Sequence, residues 1–339
     1  MDPVEALEEI AFRLERELAS KYKSKAFRTA AAVISAIPAE EVVAMVADGR
    51  LKRASGIGAS TYAVIEQATE GRVPDYLADL RARDAETDAP AGALRAQLRG
   101  DLHSHTDWSD GTTSIEAMAA AAEAIGHEYL VITDHSPNLK VARGLTAERL
   151  GVQLETIEAL DAHGSGIRLL TGIEADILID GTLDQDPEML AELDVVVASV
   201  HSKLRADAAT MTRRMLGAVT TPRTNVLGHC TGRLVQGSRG TRPQSAFDAR
   251  RVFEACAEND VAVEINSRPE RQDPPDDLIA IALEVGCLFS IDSDAHAPGQ
   301  LGLLDLGAAR AEAAGIPPER IVNTWPVDRL LAWSRAVTG

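Results

Sequence analysis

Tyr129-Leu-Val-Ile-Thr-Asp-His135 runs four apolar residues straight into a hydroxyl, a carboxylate and an imidazole. A run that short, cut off by polar residues, reads as a buried β-strand rather than a helix. The same join recurs after Arg99. Apolar runs near Leu98–Leu102, Arg168–Ile173, Val195–Ser199, Asn225–Leu227, Ala262–Ile265 and Leu288–Ile291 alternate with Ala- and Glu-rich helical stretches. Seven strands in βα alternation predict an α/β fold on a parallel sheet. Each is followed at once by His, Asp, Glu or Asn, so polar groups collect at the C-terminal strand ends, where barrel enzymes place their chemistry.

The first strand ends in Asp101-Leu-His-Ser-His105. Residues two apart in an extended chain point the same way, so both imidazoles can reach one ion. The other ends read Thr133-Asp-His135, Gly172-Ile-Glu-Ala-Asp176, Ser199-Val-His-Ser202, Gly228-His229 and Asp292-Ser-Asp-Ala-His296. Six of the eight histidines therefore sit at strand ends, whereas a packing role would scatter them. Without a metal they would be half-buried titratable groups in need of partners. The three cysteines, Cys230, Cys256 and Cys287, are odd in number and widely spaced, which argues against a disulfide framework or a thiolate zinc site. A metal is then held by His and carboxylates.

Working outward, 339 residues allow one large barrel or two ordinary domains, and 45% hydrophobic against 25% charged residues excludes wholesale disorder. No apolar run approaches the roughly 20 residues that span a bilayer, so no membrane partner is expected. The acidic N-terminus, Met1 to Glu9, lacks the pattern of an export signal and predicts a cytoplasmic protein. Residues 1–83 read as a small all-α domain. Val4, Leu7, Ile10, Leu14 and Leu18 share one helical face, Phe27, Ala30, Ile34 and Ile37 another after a break at Lys21–Lys25, and Glu40–Ala47 and Ser60–Thr69 add two helices. Residues 84–96, opening on the aperiodic Asp84–Gly92 stretch, read as a linker, and residues 97–339 as the barrel domain. The net charge of −18 is uneven: residues 1–99 hold 14 basic and 16 acidic residues, leaving 20 against 36 beyond them. The barrel carries the acid, which disfavours nucleic acid there except where metal reverses the sign.

The strand-end motifs resemble those of the PHP (polymerase and histidinol phosphatase) family, most nearly the version attached to bacterial family X DNA polymerases. The stretches that carry the likeness are Asp101–Thr112, Ile132–Ser136, Gly172–Leu178 with Asp180–Asp184, Ala198–Ser202, Gly228-His229 and Asp292–His296. The resemblance implies a distorted (β/α)7 TIM-like barrel with three divalent metal ions. It places His103, His105, Glu174 and Asp294 on the first ion, and makes Glu174 a bridge to a second held by His201 and His229. Asp110, His135 and His296 would hold the third. Three ions carry more positive charge than three carboxylates offset, which attracts a phosphate, and a metal-activated hydroxide is a competent nucleophile at neutral pH. Mn, Zn and Fe all suit mixed His and carboxylate donors.

Arg233 and Arg271 follow the fifth and sixth strands at positions similar to substrate-facing ones in the family, with surface ion pairing the alternative for each. Lys203, Asn266 and Arg268 are lesser candidates on the same loops. Cys230 stands where the family usually has Pro, and reads as a small buried residue rather than a ligand. His127 and His163 lie away from strand ends and read as structural.

Residues 51–69 resemble a helix-hairpin-helix element, and Lys25–Val33 the helix that precedes it in family X polymerases. At Gly56 and Gly58 the chain can turn sharply and aim N–H groups at a DNA phosphate, with Lys25, Arg28, Lys52 and Arg53 adding charge. A simple helix cap is the alternative. Val64 stands where the family's lyase lysine would be, and nothing between the two regions matches a polymerase palm, so lyase and polymerase activities are not expected. The resemblance implies a DNA 3′→5′ exonuclease or 3′-end-processing phosphatase in DNA repair. A phosphatase of small monoesters and a non-catalytic DNA-binding adaptor are the alternatives.

Overall fold

The computed structural model describes residues 1–87, 92–162, 164, 166–237 and 240–337, so His163 and part of the expected linker lie outside the described residues. The chain divides into two compact units, Met1–Pro90 and Ala91–Gly339.

In the first unit, α1 (Pro3–Arg16) begins where Asp2 Oδ1 accepts the N–H groups of Val4 and Glu5 at 2.8 and 3.0 Å. Asp2 caps the helix and Pro3 supplies a preset first turn. The helix ends before Leu18, whose φ of 52° is left-handed. The break thus falls at residues 17–20, and Lys21–Lys25 opens α2 (Lys21–Ser35) instead of preceding it. Next come α3 (Ala39–Ala47), a 3-10 turn at Leu51–Arg53 and α4 (Ala59–Thr69). A fifth helix, α5 (Asp75–Thr87), was not anticipated and runs four residues into the stretch read as linker. Leu7, Ile10, Phe27, Ile34, Leu51, Ile65, Leu77 and Leu80 form this unit's core.

In the second unit seven strands pair in parallel in chain order: β1 (Gly100–Asp101), β2 (Tyr129–Ile132), β3 (Arg168–Asp176), β4 (Val195–Ser199), β5 (Val226–Leu227), β6 (Ala262–Asn266) and β7 (Phe289–Asp292). Helices α6 (Ile115–Ala124), α7 (Ala147–Ala162), α8 (Pro187–Glu192), α9 (Ala208–Val219), α10 (Ala249–Glu258) and α11 (Asp276–Val285) fill the six crossovers, and α12 (Leu304–Ala313) and α13 (Val327–Ala336) follow. Alternate residues serve opposite faces. Val131, Leu170, Val195, Val197 and Val226 pack inward with Trp325 and Leu330, while Ile173, Val196, Ala198, Leu227, Val263 and Ile291 belong to a separate cluster with residues of the surrounding helices. Both faces are covered, which is why these strands read as continuous apolar runs. Each Val, Leu or Ile side chain so buried contributes about 1.5–3 kcal/mol.

The sheet closes to a TIM-like barrel at the β1–β7 seam through few backbone bonds. Ser104 bridges Ala295, and His105 N–H donates to Ala295 O at 2.7 Å. Deeper in the seam the Asn323 side chain stands in for a strand. Its Nδ2 donates to Gly100 O (3.2 Å) and Ile291 O (3.0 Å), and its Oδ1 accepts from Ile291 N–H (2.7 Å).

Candidate metal centre

All nine side chains expected to bind metal converge at the C-terminal mouth of the barrel. Glu174, near the end of β3, stands at their centre. Its Oε1 lies 2.9 Å from His229 Nε2 and 3.2 Å from His201 Nε2. Its Oε2 lies 2.8 Å from His135 Nδ1, 3.4 Å from His103 Nε2 and 3.6 Å from His105 Nε2. Asp294 Oδ1 approaches His105 Nε2 and His296 Nδ1 at 3.5 Å each, and Asp110 Oδ1 is 3.4 Å from both His135 Nε2 and His296 Nε2.

The donor atoms form four overlapping groups, each with its atoms within 4.8 Å of one another: His103–His105–Asp294, His103–Glu174–His229, His135–Glu174–His201, and His105–Asp110–His135–His296. The expected three-ion division cuts across these. His103 and His229 share a group although the resemblance assigns them to different ions, and His105 belongs to the Asp110 group as well as to the Asp294 one.

The residues fit divalent ions by a direct test. Buried His103 Nε2, His229 Nδ1, both nitrogens of His105 and His201, and both oxygens of Glu174 have no hydrogen-bond partner, though they crowd one another. Unpaired buried polar atoms are destabilising unless something else binds them, and imidazole with carboxylate is the donor set of Zn, Mn and Fe sites. Burial together with the neighbouring His296 and His135 drives His105 down to about 3, and burial with Arg271 takes His229 to about 4. Both imidazoles are therefore neutral, and able to ligate, at neutral pH. Burial alone would push the Glu174 carboxyl up, but His201, His103 and His135 hold it well below the ordinary carboxylate range.

A layer of carboxylates that the sequence reading passed over holds these groups in place. Glu264 Oε1 sits 2.6 Å from His103 Nδ1, and Asp176 Oδ1 accepts the His201 N–H at 3.0 Å and lies 3.4 Å from its Nδ1. Asp134 accepts from Thr106 N, Thr106 Oγ1 and Gln153 Nε2 at 2.9, 2.5 and 2.6 Å, tying down the loop that carries Asp110. A carboxylate inside an apolar strand, as in Ala262-Val-Glu-Ile265, was the available signal.

The arginines differ. Arg271 Nε binds Asp294 Oδ2 at 3.1 Å, at the edge of the cluster. Arg233 instead donates through Nε to Arg271 O (3.0 Å) and through Nη2 to Gln272 O, so it braces the loop after β6. Arg268 Nη1 donates to Asp294 O (2.9 Å), and Asn266 Nδ2 reaches Asp294 Oδ2 (3.2 Å). Lys203 is exposed with a left-handed φ of 53°. Cys230 is buried 4.0 Å from Asp273 Oδ1 and belongs to none of the four groups. His127 is buried outside the cluster.

In the first unit Lys25 and Arg53 are exposed, and Lys52 Nζ lies 4.6 Å from the Tyr62 ring centroid. Gly56, at φ 87°, turns the hairpin where an added Cβ would press on Thr29 and Val33. Two of the candidate DNA contacts have partners within the fold. Arg28 forks onto buried Glu15 at 2.8 and 2.7 Å, and the Gly58 N–H donates to Thr61 Oγ1 at 2.9 Å. Both groups are occupied within the fold, one in a part-buried ion pair and one in a helix cap.

Comparison with known proteins finds the following likenesses. Residues 101–268 match the family model described as the PHP domain. The chain is 39% identical over 227 residues to the DNA polymerase/3′-5′ exonuclease PolX of Bacillus subtilis (strain 168), covering 67% of this chain and 39% of PolX. It is 28% identical over 237 residues to the protein named Probable phosphatase YcdX of Escherichia coli (strain K12), covering 67% of this chain and 90% of YcdX. This chain thus spans about two fifths of the length of PolX. Among solved structures, histidinol phosphate phosphatase from Lactococcus lactis, complexed with zinc, L-histidinol and phosphate, aligns with a TM-score of 0.48 at 18% identity, over 65% of this chain and 95% of that one. The matched span runs from β1 through β6 and contains seven of the nine converging side chains, so the barrel carries a PHP domain over residues 101–268.

Proposed function

We propose that the protein is a metal-dependent phosphoesterase that acts on DNA 3′ ends, as a 3′→5′ exonuclease or a 3′-end-processing phosphatase. The observation that carries hydrolysis is the convergence of nine donors around a buried Glu174 whose oxygens have no hydrogen-bond partner. The DNA assignment is supported by the 39% identity to PolX and by a hairpin unit with exposed Lys25 and Arg53.

Divalent ions bound here would supply Lewis-acid polarisation of the phosphoryl group and an activated water. The chain's own residues do the rest. His103, His105, His135, His201, His229 and His296, with Asp110, Glu174 and Asp294, hold the positive charge in one place. Glu174 and Asp294 remain ionised at neutral pH because the charges around them outweigh burial. Arg271, anchored through Nε, turns its other N–H groups to a phosphate oxygen, where a planar fork binds well. Arg233 and Arg268 keep the β6 and β7 loops in register beneath it.

A small-monoester phosphatase is the second reading, favoured by the acidic barrel and by the likeness to YcdX along most of that protein. A time course on a 5′-labelled oligonucleotide with metal-reconstituted protein separates the two. We expect a ladder of shortened products, or a 3′-phosphorylated end converted to a hydroxyl, and a loss of at least about a hundredfold in His229→Ala. An intact oligonucleotide beside rapid hydrolysis of a monoester panel would establish the second reading.

A further inference from the structure

Glu264 is a carboxylate in the middle of β6, fully buried, on a strand that contributes none of the nine donors. Burying an ionisable group without return is strongly unfavourable, so its partners explain its presence. Oε1 is 2.6 Å from His103 Nδ1. Oε2 accepts the backbone N–H of His229 and, at 3.2 Å, a proton from Asn266 Nδ2, which also reaches Asp294 Oδ2 at 3.2 Å. One carboxylate therefore grips two imidazole-bearing residues on either side of Glu174, through the side chain of one and the backbone of the other.

Each grip has a specific effect. With Nδ1–H donated to Glu264, His103 would offer its Nε2 to an ion on the Glu174 side, and that Nε2 has no hydrogen-bond partner. His229 has φ 22°, a backbone conformation that L side chains rarely adopt. Its N–H is held by Glu264. Glu264 does not touch Asp110, His135 or His296.

We propose that Glu264 is a positioning residue that sets the affinity of the ions held through His103 and His229, while leaving the outer Asp110–His135–His296 donors unaffected. This rests on the reading of the cluster as a metal centre and not on any substrate. The competing explanation is a buried ion pair that serves only stability.

The test uses the full chain, stripped by chelator and titrated with Mn2+ or Zn2+ in metal-buffered solution, with bound metal counted by inductively coupled plasma mass spectrometry. Thermal unfolding of the metal-free forms is recorded alongside. Glu264→Gln should need about 10- to 100-fold more free metal to fill part of its complement, the usual effect of removing a partner of a metal-bound histidine. The remainder should fill as in the wild type. Asp110→Asn should show the reverse, losing the outer share and keeping the rest. Glu264→Asp keeps the charge but withdraws it from His103, so it should shift the same part of the isotherm, and it decides the matter if Glu264→Gln does not fold. Isotherms that superimpose on the wild type, or a uniform loss of all metal with a matching drop in melting temperature, overturn the proposal. Wild-type protein that binds metal yet hydrolyses no phosphate ester would remove the proposed function and leave this inference standing.

Discussion

His127 isolates one proton's worth of stability from the metal centre. It is 4% exposed at the turn before β2, neither ring nitrogen has a hydrogen-bond partner, and burial, then the charge of Arg95, pulls it down to about 3. A histidine depressed in the fold is charged only in the unfolded chain between its folded value and its ordinary one near 6.5, so the unfolded state gains protons as pH falls through that window. Its contribution is fully present above about 6.5 and is lost toward 3, at up to about 1.4 kcal/mol per pH unit. Urea unfolding at pH 6.5 and 5.0 should therefore show a shallower acid loss in His127→Gln than in wild type, with metal or without it. Equal slopes would show that His127 takes up its proton in the folded state.

Asn323 does at the level of elements what a strand would otherwise do. It lies in the 3-10 turn Val322–Thr324 and satisfies Gly100 O, Ile291 O and Ile291 N–H across the β1–β7 seam. Asn323→Ala leaves those buried backbone groups unpaired, and should destabilise the barrel by at least about 2 kcal/mol. The measurement is denaturant unfolding beside Asn323→Asp, which sets a carboxylate oxygen against two carbonyls and Asp292 Oδ1 and should be at least as destabilising. This seam was not legible in the sequence, because a lone Asn after the last strand has no periodicity to mark it. The strands were legible, since burial on both faces leaves an apolar run and the polar end follows immediately. Glu264 was hidden for the opposite reason: one carboxylate inside such a run looks like noise until its partners after β1 and after β5 are brought beside it. In the first unit, α5 escaped notice because Tyr76, Leu77 and Leu80 are too few among charged neighbours to show a helical face, and the role of Arg28 is set by Glu15, thirteen residues away. Six histidines, by contrast, announced themselves through their place at strand ends, while Asp110 entered as a ligand only through the family resemblance.

For the molecule as a whole, the net charge of −18 makes any DNA encounter depend on a few local cations. With Arg28 and Gly58 engaged internally, Lys25, Lys52 and Arg53 remain. Replacing Lys52 and Arg53 by Ala should weaken oligonucleotide binding and flatten the log–log salt dependence of the binding constant by about 0.9 for each phosphate no longer neutralised, without changing hydrolysis of a small monoester. Fluorescence anisotropy over a salt series measures it. An unchanged slope would place the DNA-binding surface outside the hairpin.

The four donor groups at the barrel mouth form a closed ring: His105 joins the first to the fourth, His135 the fourth to the third, Glu174 the third to the second, and His103 the second back to the first. A neutral imidazole has one lone pair to give and cannot serve two ions, whereas a carboxylate has two oxygens and can. Assigning any one imidazole therefore dictates the assignment of its neighbours around the ring, and among these four linking residues Glu174 alone can be counted twice. The division of donors among ions is thus decided at four shared side chains, while Asp110 and His296 on one side and His229 on the other each belong to a single group.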